Sequence, residues 1–285
     1  MGIKFAIVGA TGVGKTALSI DFALQNNAEI ICVDSRQIYK HFCIGTAQPT
    51  KEELAKVPHH LVHFLEPTEK FSAGAFLKNV HQILKENQRK NFILVGGTGL
   101  YLKSLIEGLP DIPEISEATK EKVDYELKTL GLTYAYTKAY ELDPAATKKV
   151  SPTDARRLGR ILEVFYETNT PLSEFQKNRK SGIGEIPVYF INRTRDALYK
   201  RINARVDSMI QNGWVEEVEM LAKTVDSNAP AWNSLGYLDI LNMLQGKISK
   251  ENAIEKIKQE TRRFAKRQLT WFRHQIQSTE KLLES

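Results

Sequence analysis

Gly9-Ala10-Thr11-Gly12-Val13-Gly14-Lys15-Thr16 has the residue types and spacing of a phosphate-binding loop. Its setting matters as much as the match: the apolar run 5–8 leads directly into it, and a helical pattern over 17–24 comes next. A strand that ends in a glycine-rich turn at a helix N-terminus aims successive backbone N–H groups and the positive end of the helix dipole at one spot, where a polyphosphate sits. Lys15 has the reach to bring positive charge to the terminal phosphate oxygens. Thr16 offers a hydroxyl to a magnesium ion sharing those oxygens, a hard cation that takes few protein ligands. The motif implies phosphate binding and leaves the fate of the phosphates open.

The elements that must position this loop are legible over the first hundred residues, which alternate buried strands with helices in the manner of a parallel sheet with crossover helices. Strands are expected at 4–8, 29–33 and 92–95. Each ends in a loop with chemistry: the phosphate loop, then Asp34-Ser35-Arg36-Gln37, then Gly96-Gly97-Thr98-Gly99-Leu100-Tyr101. Ligands bind open α/β sheets at the carboxyl ends of their strands, so the three loops should share one crevice. Pro110, Asp111 and Pro113 break the pattern before a helical stretch that begins near Ser116, with Asp143-Pro144 and Ser151-Pro152-Thr153-Asp154 as helix starts. A strand is expected again at 188–191. If it rejoins the first sheet, residues 1–112 and 188–285 form a catalytic core and 113–187 an all-helical insertion. In the last segment Ile254, Ile257, Thr261, Phe264, Gln268 and Trp271 recur at spacings of three and four, with Arg262, Lys266 and Arg273 on another flank.

Composition narrows the setting. The 285 residues carry a formal net charge of +6, and their basic residues gather at Arg156-Arg157-Leu158-Gly159-Arg160 and along 256–273. Such clusters suit a polyanion, although solvated helix faces also produce them. No apolar run approaches the ~20 residues of a membrane span. The first strand starts too early to leave room for a leader, so a cytoplasmic protein is expected. Cys32 and Cys43 lack metal-site spacing and read as unbridged thiols in a reducing compartment. His59, His60 and His63 lack partners at metal-ligand spacing.

Taken together the motifs resemble one family, the tRNA dimethylallyltransferases, isopentenyltransferases that modify the adenosine beside the anticodon. Besides the phosphate loop, the resemblance rests on Val33-Asp34-Ser35-Arg36-Gln37-Ile38-Tyr39, Ile44-Gly45-Thr46-Ala47, Pro58-His59-His60-Leu61 and Val95-Gly96-Gly97-Thr98-Gly99-Leu100-Tyr101. It continues through Asp154 to Arg160 with Leu162-Glu163-Val164, Leu235-Gly236-Tyr237, and the run from Thr261 to Arg273. The fold implied is α/β, a P-loop NTPase-like parallel sheet core with an inserted all-helical subdomain. The reaction implied is transfer of a dimethylallyl group from dimethylallyl diphosphate to N6 of adenosine in a tRNA anticodon stem-loop, with Mg2+ and release of diphosphate, by a monomer.

The resemblance offers Asp34 as the base at N6, where a metal-orienting or structural strand-end carboxylate is the alternative. It offers Thr98 as a substrate contact beside the transferring carbon. It places the diphosphate on Gly9 to Thr16, and Arg205 fits the family's position better than Arg195 or Arg201 for an arginine that closes on it. RNA contacts are implied for Asp34, Ser35, Arg36 and Gln37, for Thr98 and Lys120, for Arg156, Arg157, Leu158, Gly159 and Arg160, and for Asn233, Ser234, Leu235, Gly236, Tyr237 and Leu238. The chain departs from the family at Ala10, Gln48, His63 and Leu238, positions that bear on RNA specificity more than on chemistry. An isopentenyltransferase for free adenine nucleotides would need neither the insertion nor the basic C-terminal helix. A phosphate-loop kinase for a small metabolite would share the loop but transfer phosphate from ATP.

Overall fold

The computed structural model describes residues 2–275 and the backbone of 280–282. β1 (Gly2–Gly9), β2 (Ala28–Val33), β3 (His59–His60), β4 (Asn91–Gly96), β7 (Val188–Ile191) and β8 (Glu280–Leu282) form a six-stranded parallel sheet in the order β3-β2-β4-β1-β7-β8. Parallel strands covered on both faces are continuous apolar runs, and β1, β2 and β4 are that kind of sequence. Register sets where the strands stop. Val8 and Val33 both pair with Gly96, and Gly9 pairs with Ile191. The carboxyl ends of β1, β2, β4 and β7 are therefore level, and the loops that leave them start side by side.

Between these strands run α1 (Lys15–Gln25), α2 (Lys51–Lys56), α3 (Ala73–Glu86) and α4 (Gly99–Glu107). Ile20 and Ala23 of α1 pack with Ile7, Ile30 and Ile93 of the sheet. A second core gathers Phe42, Trp214, Trp232, Tyr237 and Ile257, which holds α11 (Trp214–Thr224), α12 (Tyr237–Leu244) and α13 (Lys250–Gln275) together. The helix α10 (Arg195–Gln211) leads from β7 into this bundle.

The chain divides into two compact units, 1–106 with 184–285, and 107–183; the dividing points read from sequence were 113 and 187. Within the second unit β5 (Leu109–Pro110) pairs antiparallel with β6 (Arg179–Lys180). Between them lie α5 (Glu117–Thr129), α6 (Gly131–Leu142), α7 (Pro144–Thr147), α8 (Ala155–Thr168) and α9 (Leu172–Phe175). Their core is Val123, Ala135, Ala139, Leu158, Ile161 and Leu162 with their neighbours. Both predicted helix starts hold: Asp143 accepts from the Ala146 N–H at 2.9 Å, and Asp154 from the Arg157 N–H at 3.1 Å. No helix among the described residues is long and apolar enough to cross a membrane.

Candidate active site

The phosphate loop closes on itself. Gly14 takes a left-handed conformation, φ 104°, that a side chain would resist, and this turns the chain so that α1 begins at Lys15. Lys15 Nζ folds back to donate to the Gly9 and Ala10 carbonyls at 3.0 and 2.9 Å. Burial pulls the lysine down to about 8; the Asp34 carboxylate opposes that shift and Arg205 adds to it. A desolvated cation at a ring of amide donors is what an incoming polyanion would stabilise. Not every residue of the loop is available for that purpose, which corrects the expectation for the full run from Gly9 to Thr16. The Thr11 N–H donates to Gln268 Oε1 at 2.9 Å, the Val13 N–H to the Ala10 carbonyl at 3.4 Å, and Ala10 is fully buried. Gly12, Gly14, Lys15 and Thr16 are left to face a ligand, and all four line the cavity at the strand ends.

Three arginines come from the β7–α10 connection and from α10. Arg193, just past the end of β7, donates through Nε to the Val13 carbonyl at 2.8 Å, and Arg201 donates likewise to the Gly12 carbonyl at 3.0 Å. Both stiffen the loop and add positive charge beside it. Arg205 lies deeper, and its pKa is lowered by burial, with Asp34 opposing and Arg201 reinforcing that shift. A guanidinium nevertheless keeps its charge at neutral pH. Arg195 is instead exposed and sits over the Tyr199 ring. Nothing in the sequence motif marked Arg193; its place two residues beyond a parallel strand's carboxyl end was the available signal.

Asp34 comes directly after β2. Its Oδ1 accepts from the Arg36 N–H at 2.8 Å and the Gln37 N–H at 3.3 Å, a local turn that fixes the carboxylate and leaves its second oxygen for the cavity. Thr98 belongs to the turn after β4, which is tied to the end of β2: its N–H donates to the Val33 carbonyl at 3.0 Å, and its hydroxyl accepts from the Ser35 N–H at 3.0 Å. Gln37 lines the cavity while its side chain also braces the fold. Its amide donates to the Ala47 carbonyl at 2.6 Å and its oxygen accepts from Cys32 at 3.1 Å. Burial raises the Cys32 thiol, with Asp34 adding to the shift, which makes it an inert core residue.

These groups surround one cavity of about 720 Å³, within the range of small-ligand sites. Its walls carry Lys15, Thr16, Asp34, Thr98, Arg201 and Arg205, together with Thr46 and Ser234, and Phe264 and Gln268 from α13. Phe264 and Gln268 read as packing positions in the sequence; here they reach the site. Thr16 supplies a hard oxygen donor beside the amide ring, and no group of three or more His, Cys, Asp or Glu side chains among the described residues forms a metal cage. That donor set fits magnesium, which keeps most of its shell as water and phosphate oxygens, better than it fits zinc.

The segment expected to meet RNA at 233–238 divides. Asn233 and Leu238 are exposed, whereas Ser234, Gly236 and Tyr237 are buried. Tyr237 is a structural residue, contrary to expectation. Its hydroxyl donates to Glu217 Oε1 at 2.7 Å and accepts from the Gly45 N–H at 3.1 Å, while Glu217 Oε2 accepts from the Cys43 and Ile44 N–H groups at 3.0 and 2.9 Å. Burial and the Glu217 charge together raise the phenol's pKa far above its usual value. This pair anchors the loop whose Gly45 and Thr46 line the cavity.

Lys120 and 156–160 belong to the second unit. Lys120 pairs with Glu117 at 2.6 Å, Arg157 with Asp154 at 3.3 Å, and Arg160 with Glu163 at 3.3 Å, while Arg156 is exposed. Leu158 and Gly159 lie on the buried face of α8, where they pack against the unit's core, so burial there argues against the side-chain contacts with RNA expected of them.

Comparison with known proteins points the same way. The sequence pattern of IPP transferase matches residues 37–275. A tRNA dimethylallyltransferase of Caldanaerobacter subterraneus subsp. tengcongensis is 43% identical over 278 residues, spanning 94% of this chain and 87% of that protein. One from Fusobacterium nucleatum subsp. nucleatum is 43% identical over 268 residues, with the same coverage. Among solved structures, a tRNA delta(2)-isopentenylpyrophosphate transferase of Staphylococcus epidermidis matches with a TM-score of 0.70 at 35% identity, over 99% of this chain and 93% of that one. A eukaryotic dimethylallyltransferase acting on tRNA matches with a TM-score of 0.81 at 28% identity, over 95% and 70%. The fold is the α/β, P-loop NTPase-like parallel sheet expected from the sequence.

Proposed function

This chain belongs to the IPP transferase family, and from that premise we propose that it transfers a dimethylallyl group from dimethylallyl diphosphate to N6 of the adenosine beside the anticodon in tRNA. The observation that carries the reading is the single cavity that gathers an amide ring with Lys15, a strand-end carboxylate, Asp34, and the Thr98 turn. The diphosphate is the leaving group. Its charge grows as the allylic carbon–oxygen bond breaks, and the bond electrons leave with that oxygen. Lys15, Arg205 and the N–H groups of Gly12, Gly14, Lys15 and Thr16 answer that charge. Magnesium, held by Thr16, would neutralise further charge on the phosphate oxygens when bound.

The acceptor nitrogen forms the new carbon–nitrogen bond with its lone pair. That pair is delocalised into the purine, so N6 becomes acidic only as the bond forms, and a base must then take the proton. Asp34 takes it on the oxygen that its own turn leaves unused. Thr98, held against Ser35, sets the neighbouring wall. For N6 to reach this depth the adenine must leave the loop's stack, with the exposed Asn233 and Leu238 and the arginines of the second unit contacting the surrounding RNA. The family resemblance favours a monomeric catalyst, and a tRNA acceptor is consistent with work in the cytoplasm.

Incubation with an unmodified anticodon stem-loop, dimethylallyl diphosphate and magnesium, with mass spectrometry of the digested nucleosides as the readout, tests this directly. A five-carbon addition on the loop adenosine is expected. Addition to AMP offered in parallel, with the loop untouched, would move the chain to free-nucleotide chemistry. Phosphate transfer from ATP, with no prenyl transfer, would overturn the reading.

A further inference from the structure

We propose that Gln268 is a positioning residue that holds the leaving-group cradle and the Thr98 turn at a fixed separation through the two ends of its amide; the proposal rests on the prenyl-transfer reading above. Gln268 lies on α13 and is 8% exposed. Its Oε1 accepts from the Thr11 N–H at 2.9 Å, and its Nε2 donates to the Gly97 carbonyl at 2.9 Å. Thr11 and Gly97 sit on the loops that leave β1 and β4, adjacent strands whose ends are in register at Val8 and Gly96. Gly97 precedes Thr98, and the Thr98 hydroxyl holds Ser35, the neighbour of Asp34. One side chain from the far end of the sequence therefore closes a circuit from the phosphate loop, through the Thr98 turn, to the proposed base.

The chemistry of the link is specific. A backbone N–H only donates and a backbone carbonyl only accepts, so the bridging group must accept at one end and donate at the other. A primary amide does this, and its orientation is fixed by its partners. A carboxylate places acceptors at both ends and repels the Gly97 carbonyl; a neutral carboxylic acid restores the donor. Close approach adds a second constraint, because a Cβ at Gly97 would lie 2.4 Å from Gln268 Nε2. Packing alone would favour an apolar residue here, among Ala265, Ile257 and Phe272 on the buried face of the same helix.

Gln268→Glu tests the link. The carboxyl group would be neutral at low pH, and burial would raise its pKa toward neutrality. We expect the single-turnover rate of Gln268→Glu, divided by that of the wild type, to be near one at pH 5.5 and to fall about tenfold to a hundredfold by pH 8, the scale of a small misplacement of reacting groups. Affinity for inorganic diphosphate, measured by calorimetry, should fall over the same range while the melting temperature shows the chain folded. Gln268→Leu, which packs but cannot bridge, should be slow at every pH. A flat ratio for Gln268→Glu, or a wild-type rate in folded Gln268→Leu, would overturn the proposal. If Gln268→Glu does not fold, the Gln268→Leu rate and diphosphate affinity decide. A wild-type chain that transfers no prenyl group, together with the pH-dependent diphosphate affinity of Gln268→Glu, would leave the link standing and remove the function.

Discussion

Lys15 titrates where enzymes are assayed, which makes it the most readily tested residue of the site. With a pKa near 8 it carries its charge below pH 8 and loses it above. Bound diphosphate favours the charged form, so binding above pH 8 must take up a proton. Donor affinity is expected to be level below pH 8 and to weaken about tenfold per pH unit above it. Calorimetry of inorganic diphosphate in buffers of different ionisation enthalpy would register the proton uptake, and Lys15→Ala should lose both the affinity and its pH dependence. For stability the sign runs the other way. A lysine lowered in the folded state opposes folding most at and below pH 8, and this opposition fades as pH rises towards 10.5, the pKa of an exposed lysine. Asp34 makes a different prediction. Asp34→Asn keeps an oxygen for the Arg36 and Gln37 N–H groups but is no base; its single-turnover rate should drop by about 10² to 10⁴ with RNA affinity almost unchanged. A near-normal rate would strip Asp34 of its role.

Among the elements, α11 and α12 hold the loop at 43–46 through one internal pair. Tyr237→Phe removes the hydroxyl that Glu217 and the Gly45 N–H both use, leaving polar atoms short of partners in a buried place. A loss of about 1–3 kcal/mol in chemical unfolding is expected, with diphosphate affinity retained. Unchanged stability together with weakened RNA binding would return Tyr237 to the RNA surface. The sequence made β1, β2, β4 and β7 legible because buried parallel strands are long apolar runs. β3 was not legible, since two histidines joined to β2 by register alone have no periodicity. Tyr237 was misread for a similar reason: a tyrosine beside an exposed leucine gives no sign of which way its ring turns. The lining of the cavity was readable wherever a loop left a strand end, at Lys15, Asp34 and Thr98. The sequence was opaque at Arg193 and Gln268, whose hydrogen bonds to the phosphate loop exist only after distant segments meet.

For the whole molecule, the net charge of +6 resides in the first unit, whereas the second unit carries 12 Lys and Arg against 13 Asp and Glu, so its basic residues act locally. Arg156 is exposed in the second unit, and Arg267, exposed on α13, lies over the Phe264 ring. If each meets one RNA phosphate, Arg156→Ala and Arg267→Ala should each lower the slope of log affinity against log salt by about 0.7–0.9, and the double variant by the sum. Binding measured across a salt series gives the slopes, and an unaltered slope would remove that arginine from the interface.

The strand order has a consequence in time. β1 is made first, but its sheet neighbours are β4 and β7, and the amide that ties down Thr11 arrives with residue 268. At ordinary translation speeds the phosphate loop is synthesised roughly 13 to 50 s before its last support. A nascent chain stopped short of α13 can therefore hold most of the sheet and still lack a finished catalyst, so activity in the growing chain arrives late and in one step.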